Sequence, residues 1–109
     1  MPESSDNELR ELRQVFVTEA EQHLDVLEEG LVELEAHPDD VDGLRRVFRS
    51  IHTIKGSASL VDLEGIEFLA HRAEDILSTL RDGHVPVTTE AVSVLLRAVD
   101  ALRRMVARV

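Results

Sequence analysis

The sequence predicts an all-α fold, an antiparallel up-and-down four-helix bundle, and three observations lead there. Apolar residues recur at steps of three and four through four separate stretches, the spacing that lines one face of a helix. The breaks between stretches are short and hold the turn-formers His37-Pro38-Asp39-Asp40, Ser59-Leu60-Val61-Asp62 and Arg81 to Pro86. No segment alternates with the period of two that a half-buried strand needs. Short connections between amphipathic helices make sequential neighbours antiparallel.

The first six residues read as a flexible leader, with Ser5 or Asp6 available as a cap, and residues 7–109 as the folded domain. Helix one is expected over 7–36, with Leu9, Leu12, Phe16, Ala20, Leu24, Leu27, Leu31 and Leu34 as its inner stripe. Pro38 ends it, because proline cannot continue a helix, and an aspartate then caps the next. Helix two carries Val41, Leu44, Val47, Phe48, Ile51, Ile54 and Ala58 and runs to about residue 59. After a short turn, Asp62 is the expected cap of helix three, whose stripe is Ile66, Leu69, Ala70, Ala73, Ile76, Leu77 and Leu80. That helix stops near Gly83, a residue suited to the left-handed terminal conformation. Thr88 caps helix four, Glu90 complements the dipole of its first turn, and Val92, Leu95, Leu96, Val99, Leu102, Met105 and Val106 face inward.

Composition removes several classes of function. The 109 residues make one domain, without a run apolar enough for a membrane span and without a signal region at the N-terminus. The absence of cysteine rules out disulfides, thiolate zinc sites and cysteine nucleophiles, and suits a cytoplasmic location. A net charge of −10, with three phenylalanines and no tryptophan or tyrosine, argues against nucleic acid. The acidity is concentrated: residues 1–40 hold thirteen acids and two arginines. Around His52 the chain is locally basic (Arg45, Arg46, Arg49 and Lys55), which favours an anionic visitor.

Lys55 is the only lysine, and it lies three residues after His52 and directly before Gly56. Three residues apart on a helix means a shared face. An imidazole nucleophile, a compact cation and bare backbone then meet the same ligand, as a phosphoryl-accepting surface requires. At about 100° per residue, His52 falls roughly 110° from the apolar centre of its helix, on the shoulder of the core. Phe48 lies one turn before it and Gly56 one turn after. Glu74 occupies the matching shoulder of helix three. If both shoulders line one seam, Glu74 accepts a hydrogen bond from His52, fixes one ring nitrogen as N–H and leaves the other as the nucleophile. His71, one turn before Glu74, points further outward.

His52-Thr53-Ile54-Lys55-Gly56-Ser57-Ala58, joined to His71-Arg72-Ala73-Glu74 on the next helix, resembles the histidine phosphotransfer (HPt) domains, particularly the N-terminal domain of CheA-type chemotaxis kinases. The resemblance spans roughly residues 8–108. It implies that His52 accepts a phosphoryl group on Nε2, that Lys55 helps hold phosphate charge, and that Glu74 bonds the Nδ1 proton. His71 would support the rim and Gly56 would leave room for a partner domain. It further implies an ATP-binding histidine kinase domain as donor, in cis or in trans, and the aspartate of a response regulator as acceptor. Ser57 stands where a second glycine is frequent in CheA-type domains, a departure that leaves the chemistry intact.

Other classes fit less well. A dinuclear metal bundle uses Glu-x-x-His pairs. The residues three before the five histidines are Ala20, Leu34, Arg49, Phe68 and Arg81, so no metal site and no cofactor are expected. No glycine-rich nucleotide loop is present, so the domain is expected to carry a phosphoryl group rather than catalyse its transfer. The competing reading is an adaptor bundle that docks through its acidic first helix. A monomer is expected, because the four apolar stripes can be buried against one another.

Overall fold

The computed structural model describes residues 2–109, with side chains from Ser5 onward. The four helices are α1 (Pro2–Ala36), α2 (Val41–Leu60), α3 (Glu64–Arg81) and α4 (Thr89–Ala107). Each packs on its sequence neighbour, and α1 closes the ring against α4. Among the described residues there is no strand. Nor is any helix among them long and apolar enough to cross a membrane.

α1 starts earlier than the sequence predicts. Residues 2–6 are its first turns, so neither Ser5 nor Asp6 stands before it as a cap. Proline is well placed at a first helical position, where its missing N–H would have no partner, and Asp6 and Glu8 complement the dipole near that end. With 35 residues this helix matches the 52 Å length of the molecule, whose cross-section is 20 × 20 Å. The other helices, with 18 to 20 residues, reach only about 27–30 Å at 1.5 Å per residue. α1 therefore overhangs the bundle.

Between the helices runs one continuous core. Leu24, Leu27, Leu31, Val47, Ile51, Ile54, Leu77, Leu95, Val99 and Leu102 are all shielded from solvent. Three members of the expected stripes are exposed instead: Leu12, Val41 and Ile76. Leu12 and Val41 lie toward the ends of their helices, and a stripe drawn on one helix cannot show where its partner stops.

The helix ends explain two further outcomes. Asp40 caps α2 by accepting from the Gly43 N–H at 3.0 Å, and Thr88 caps α4 through Ala91 N–H at 3.1 Å. Asp62 is not the cap of α3; Leu63 takes that position without a side-chain bond. Asp62 has φ 58°, and it closes α2 in the role glycine usually takes. The Leu63 N–H reaches back to Ala58 O at 3.0 Å and the Asp62 N–H to Ser59 O at 3.2 Å. Arg13 of α1 then covers the turn, donating from Nε to Val61 O at 2.9 Å. Gly83, with φ 76°, performs the same service at the end of α3, as its sequence position predicts.

Candidate functional site

His52 and Lys55 project from α2 toward the seam with α3, where Glu74 meets both. The His52 side chain is 61% exposed while that of Glu74 is only 11% exposed, so the carboxylate forms the floor and the imidazole the rim. One carboxylate oxygen, Oε2, is hydrogen-bonded to His52 Nδ1. The other, Oε1, accepts from Lys55 Nζ at 2.6 Å. Both oxygens of a buried acid are thereby partnered, as burial of a charge demands.

This pairing decides the protonation pattern. Burial pushes the Glu74 carboxyl up, but the hydrogen bonds from Lys55 and His52, together with the positive charge of Lys55, outweigh it and hold the group below its ordinary pKa. Glu74 is therefore an anion near neutral pH and can only accept. The proton in the His52–Glu74 bond must sit on Nδ1. In the neutral imidazole that leaves Nε2 with a free lone pair on the exposed side of the ring.

A second contact limits the ring. Phe48, one turn before His52, lies nearly parallel to it, with planes 13° apart and centroids 6.0 Å apart. The Arg81 guanidinium from the end of α3 sits over Phe48, 4.2 Å from the ring centroid. Nothing in the spacing of the sequence singles out Arg81 for this contact. Its one signal is its place seven residues after Glu74, two turns along the same face of α3.

The structure separates the other expected site residues. Lys55 is adjacent to His52 as expected, but its ammonium is engaged with Glu74; two of its three donor positions remain. Gly56 is exposed, and a Cβ built on it would meet no atom of the chain within 4 Å, so internal packing does not demand glycine there. His71 does not join the cluster: it is exposed and faces Asp75 on its own helix, Nε2 to Oδ1 3.6 Å. Arg45, Arg46 and Arg49 are exposed and form no ion pair among the described residues, which preserves the basic surround. Nor do three His, Asp or Glu side chains gather among the described residues as a metal site would need.

A family model for the Hpt domain matches residues 11–105 of the chain. The chain belongs to the Hpt domain family. It is 38% identical over 99 residues to the sensor histidine kinase CheAY of Helicobacter pylori, a match covering 91% of this chain and 12% of that protein. The chain thus spans about an eighth of that relative's length. Among solved structures, the CheA phosphotransferase domain from Thermotoga maritima aligns with a TM-score of 0.85 and 32% identity, over 92% of this chain and 94% of that one. The phosphorylated P1 domain of CheA3, in complex with CheY6 from R. sphaeroides, aligns with a TM-score of 0.84 and 35% identity, over 90% of this chain and 77% of that one. The Hpt fold and the four-helix architecture read from the sequence are thereby established.

Proposed function

We propose that this Hpt domain is the phosphoryl carrier of a CheA-like two-component kinase and that His52 Nε2 is the atom that carries the group. The observation behind this reading is the bond between His52 Nδ1 and the Glu74 carboxylate, which in the neutral imidazole makes Nε2 the nitrogen with the lone pair, on an exposed ring. In the first step the Nε2 lone pair attacks the γ-phosphorus of ATP held by a separate kinase domain. The P–N bond forms, the P–O bond to ADP breaks, and ADP leaves with the bonding electrons. The ring gains positive charge as the bond forms, because Nδ1 keeps its proton, and the adjacent Glu74 anion stabilises that charge. In the second step a carboxylate oxygen of a response-regulator aspartate attacks phosphorus, and the lone pair returns to Nε2.

Lys55 serves twice in this scheme. It keeps Glu74 ionised through Oε1, and its free donor positions face the charge of the incoming phosphate. Gly56 leaves the partner a side-chain-free approach one turn beyond His52, in keeping with the open space at its Cα. His71 is a rim residue of the partner surface rather than a member of the hydrogen-bonded site. The domain binds no nucleotide itself, acts in the cytoplasm, and depends on the kinase domain for its phosphoryl group.

Replacing His52 tests the reading directly. With a CheA-like kinase domain, ATP and magnesium, the wild-type chain gains acid-labile, base-stable phosphate and passes it to a receiver domain. His52→Gln abolishes that labelling while leaving the helical circular dichroism unchanged. Labelling that persists in the folded variant, or that appears in the wild type with ATP and magnesium alone, defeats the proposal. An adaptor bundle would show no labelling in either protein.

A further inference from the structure

The site has a second link between α2 and α3, two turns away along α3 from Glu74. Arg81 does not pair with Glu74. It lies over the Phe48 ring at 4.2 Å and is steadied there by its own helix end, with Nε 3.2 Å from Asp82 Oδ1 and an Nη 3.4 Å from Ser78 Oγ. Phe48 in turn stacks on His52 at 6.0 Å. A cation over a ring face is attracted by the quadrupole of the ring, and a ring so held has less freedom to swing about χ1 and χ2. The His52 imidazole is therefore bounded by Glu74 at Nδ1 and by Phe48 on its α2 side.

From this geometry we infer that Phe48 and Arg81 are positioning residues for His52, a cation–aromatic latch that holds the imidazole in the orientation from which Nε2 is presented. The need for such a latch is physical. The histidine ring is well exposed, and one hydrogen bond fixes the position of Nδ1 but not the tilt of the ring about that bond. A flat neighbour restricts tilt, and a neighbour pinned from the facing helix restricts it more. Arg81 acts only through Phe48, so its contribution vanishes when the aromatic ring is removed. The latch bears on transfer only because it rests on the phosphoryl-acceptor reading above, but its effect on the ring itself does not.

The test uses the full chain and four variants: Phe48→Leu, Arg81→Gln, Arg81→Lys and the Phe48→Leu/Arg81→Gln double. Two quantities are read, the picosecond–nanosecond order of the His52 ring by carbon-13 relaxation and the initial rate of phosphorylation by phosphoramidate. Thermal unfolding first establishes that each variant is folded; Arg81 is a surface residue, so Arg81→Gln keeps the test open if Phe48→Leu fails to fold. Arg81→Gln is expected to lower ring order and to slow phosphorylation roughly two- to fivefold, the size of an exposed cation–aromatic contact. Arg81→Lys restores most of both. The double variant matches Phe48→Leu alone, because the arginine has lost the ring through which it acts. Unchanged ring order in folded Arg81→Gln overturns the latch, as does an additive double variant. A wild-type chain that takes no phosphoryl group onto His52 defeats the acceptor reading instead, while the ring measurement still decides the latch.

Discussion

Two donors converge on Glu74 in the folded chain, and neither is held there in the unfolded one. Its carboxyl is accordingly held below its ordinary pKa, against the upward push of burial. A group lowered in this way stabilises the fold above its unfolded pKa, and that stability disappears as pH falls through the folded value. Glu74→Gln keeps the shape but removes the charge, and should cost about 1.5–3 kcal/mol at neutral pH, the range for hydrogen bonds to a charged group. Urea unfolding of both proteins at several pH values should show that gap narrowing as pH falls below the carboxylate range. A gap of equal size at pH 3 and pH 7 would contradict the assignment of Glu74 as the ionised partner. The wheel put His52 and Glu74 on matching shoulders, each about 110° from its helix's apolar centre, and the packing of α2 on α3 turned those shoulders into one seam. The second oxygen of Glu74 was not legible: a wheel places Lys55 nearer the core but cannot say which atom its flexible stem will reach.

At the scale of helices, close approach and chain reversal make the strictest demands. A Cβ on Gly30 of α1 would lie 2.5 Å from Val47 Cγ2 of α2. Val47 is fully buried, and its branched side chain is held to one rotamer in a helix, so the methyl cannot turn aside. Gly30→Ala should therefore destabilise by about 1–3 kcal/mol despite the better helix propensity of alanine, visible as a fall of several degrees in Tm. A rise in Tm would mean that α1 and α2 are not in this contact. Asp62, at φ 58°, sets a different constraint. Aspartate tolerates the left-handed region and a β-branched residue does not, so Asp62→Val should cost about 1–2 kcal/mol while Asp62→Gly is accepted. Equal stability of the two variants by chemical denaturation would refute the terminal role of this residue. The sequence pointed to Gly83 as a helix terminator, but it read Asp62 as a cap. Aspartate serves both purposes, and the backbone direction decides between them.

For the molecule as a whole, the four stripes close on each other and the remaining large apolar side chains are dispersed. Leu12, Val15 and Val32 are exposed on α1, Val41 and Leu60 on α2, Phe68 on α3 and Val94 on α4. They occupy all four helices rather than a single seam. A net charge of −10 adds mutual repulsion between copies. Sedimentation equilibrium is expected to give the mass of one chain at micromolar concentration and physiological salt, and a tight dimer would overturn that expectation. The charge is also arranged to purpose: the acids crowd the first forty residues, while Arg45, Arg46 and Arg49 stand free on the helix that carries His52.

The sequence by itself determined the four helices and the matching shoulders on which His52 and Glu74 sit, from a period of 3.6 residues that is local and can be counted along the chain. Their antiparallel order follows from the short connections. Whether the two shoulders share a seam was left open by the sequence and decided by the fold. The tertiary structure decided what depends on the rotation and register of one helix against another. It seated Lys55 on Glu74 and Arg81 on Phe48, and it spread Arg13 across the α2–α3 turn. It also turned His71 toward Asp75 and away from the site. Long side chains have several partners within reach, and only the packed core selects among them.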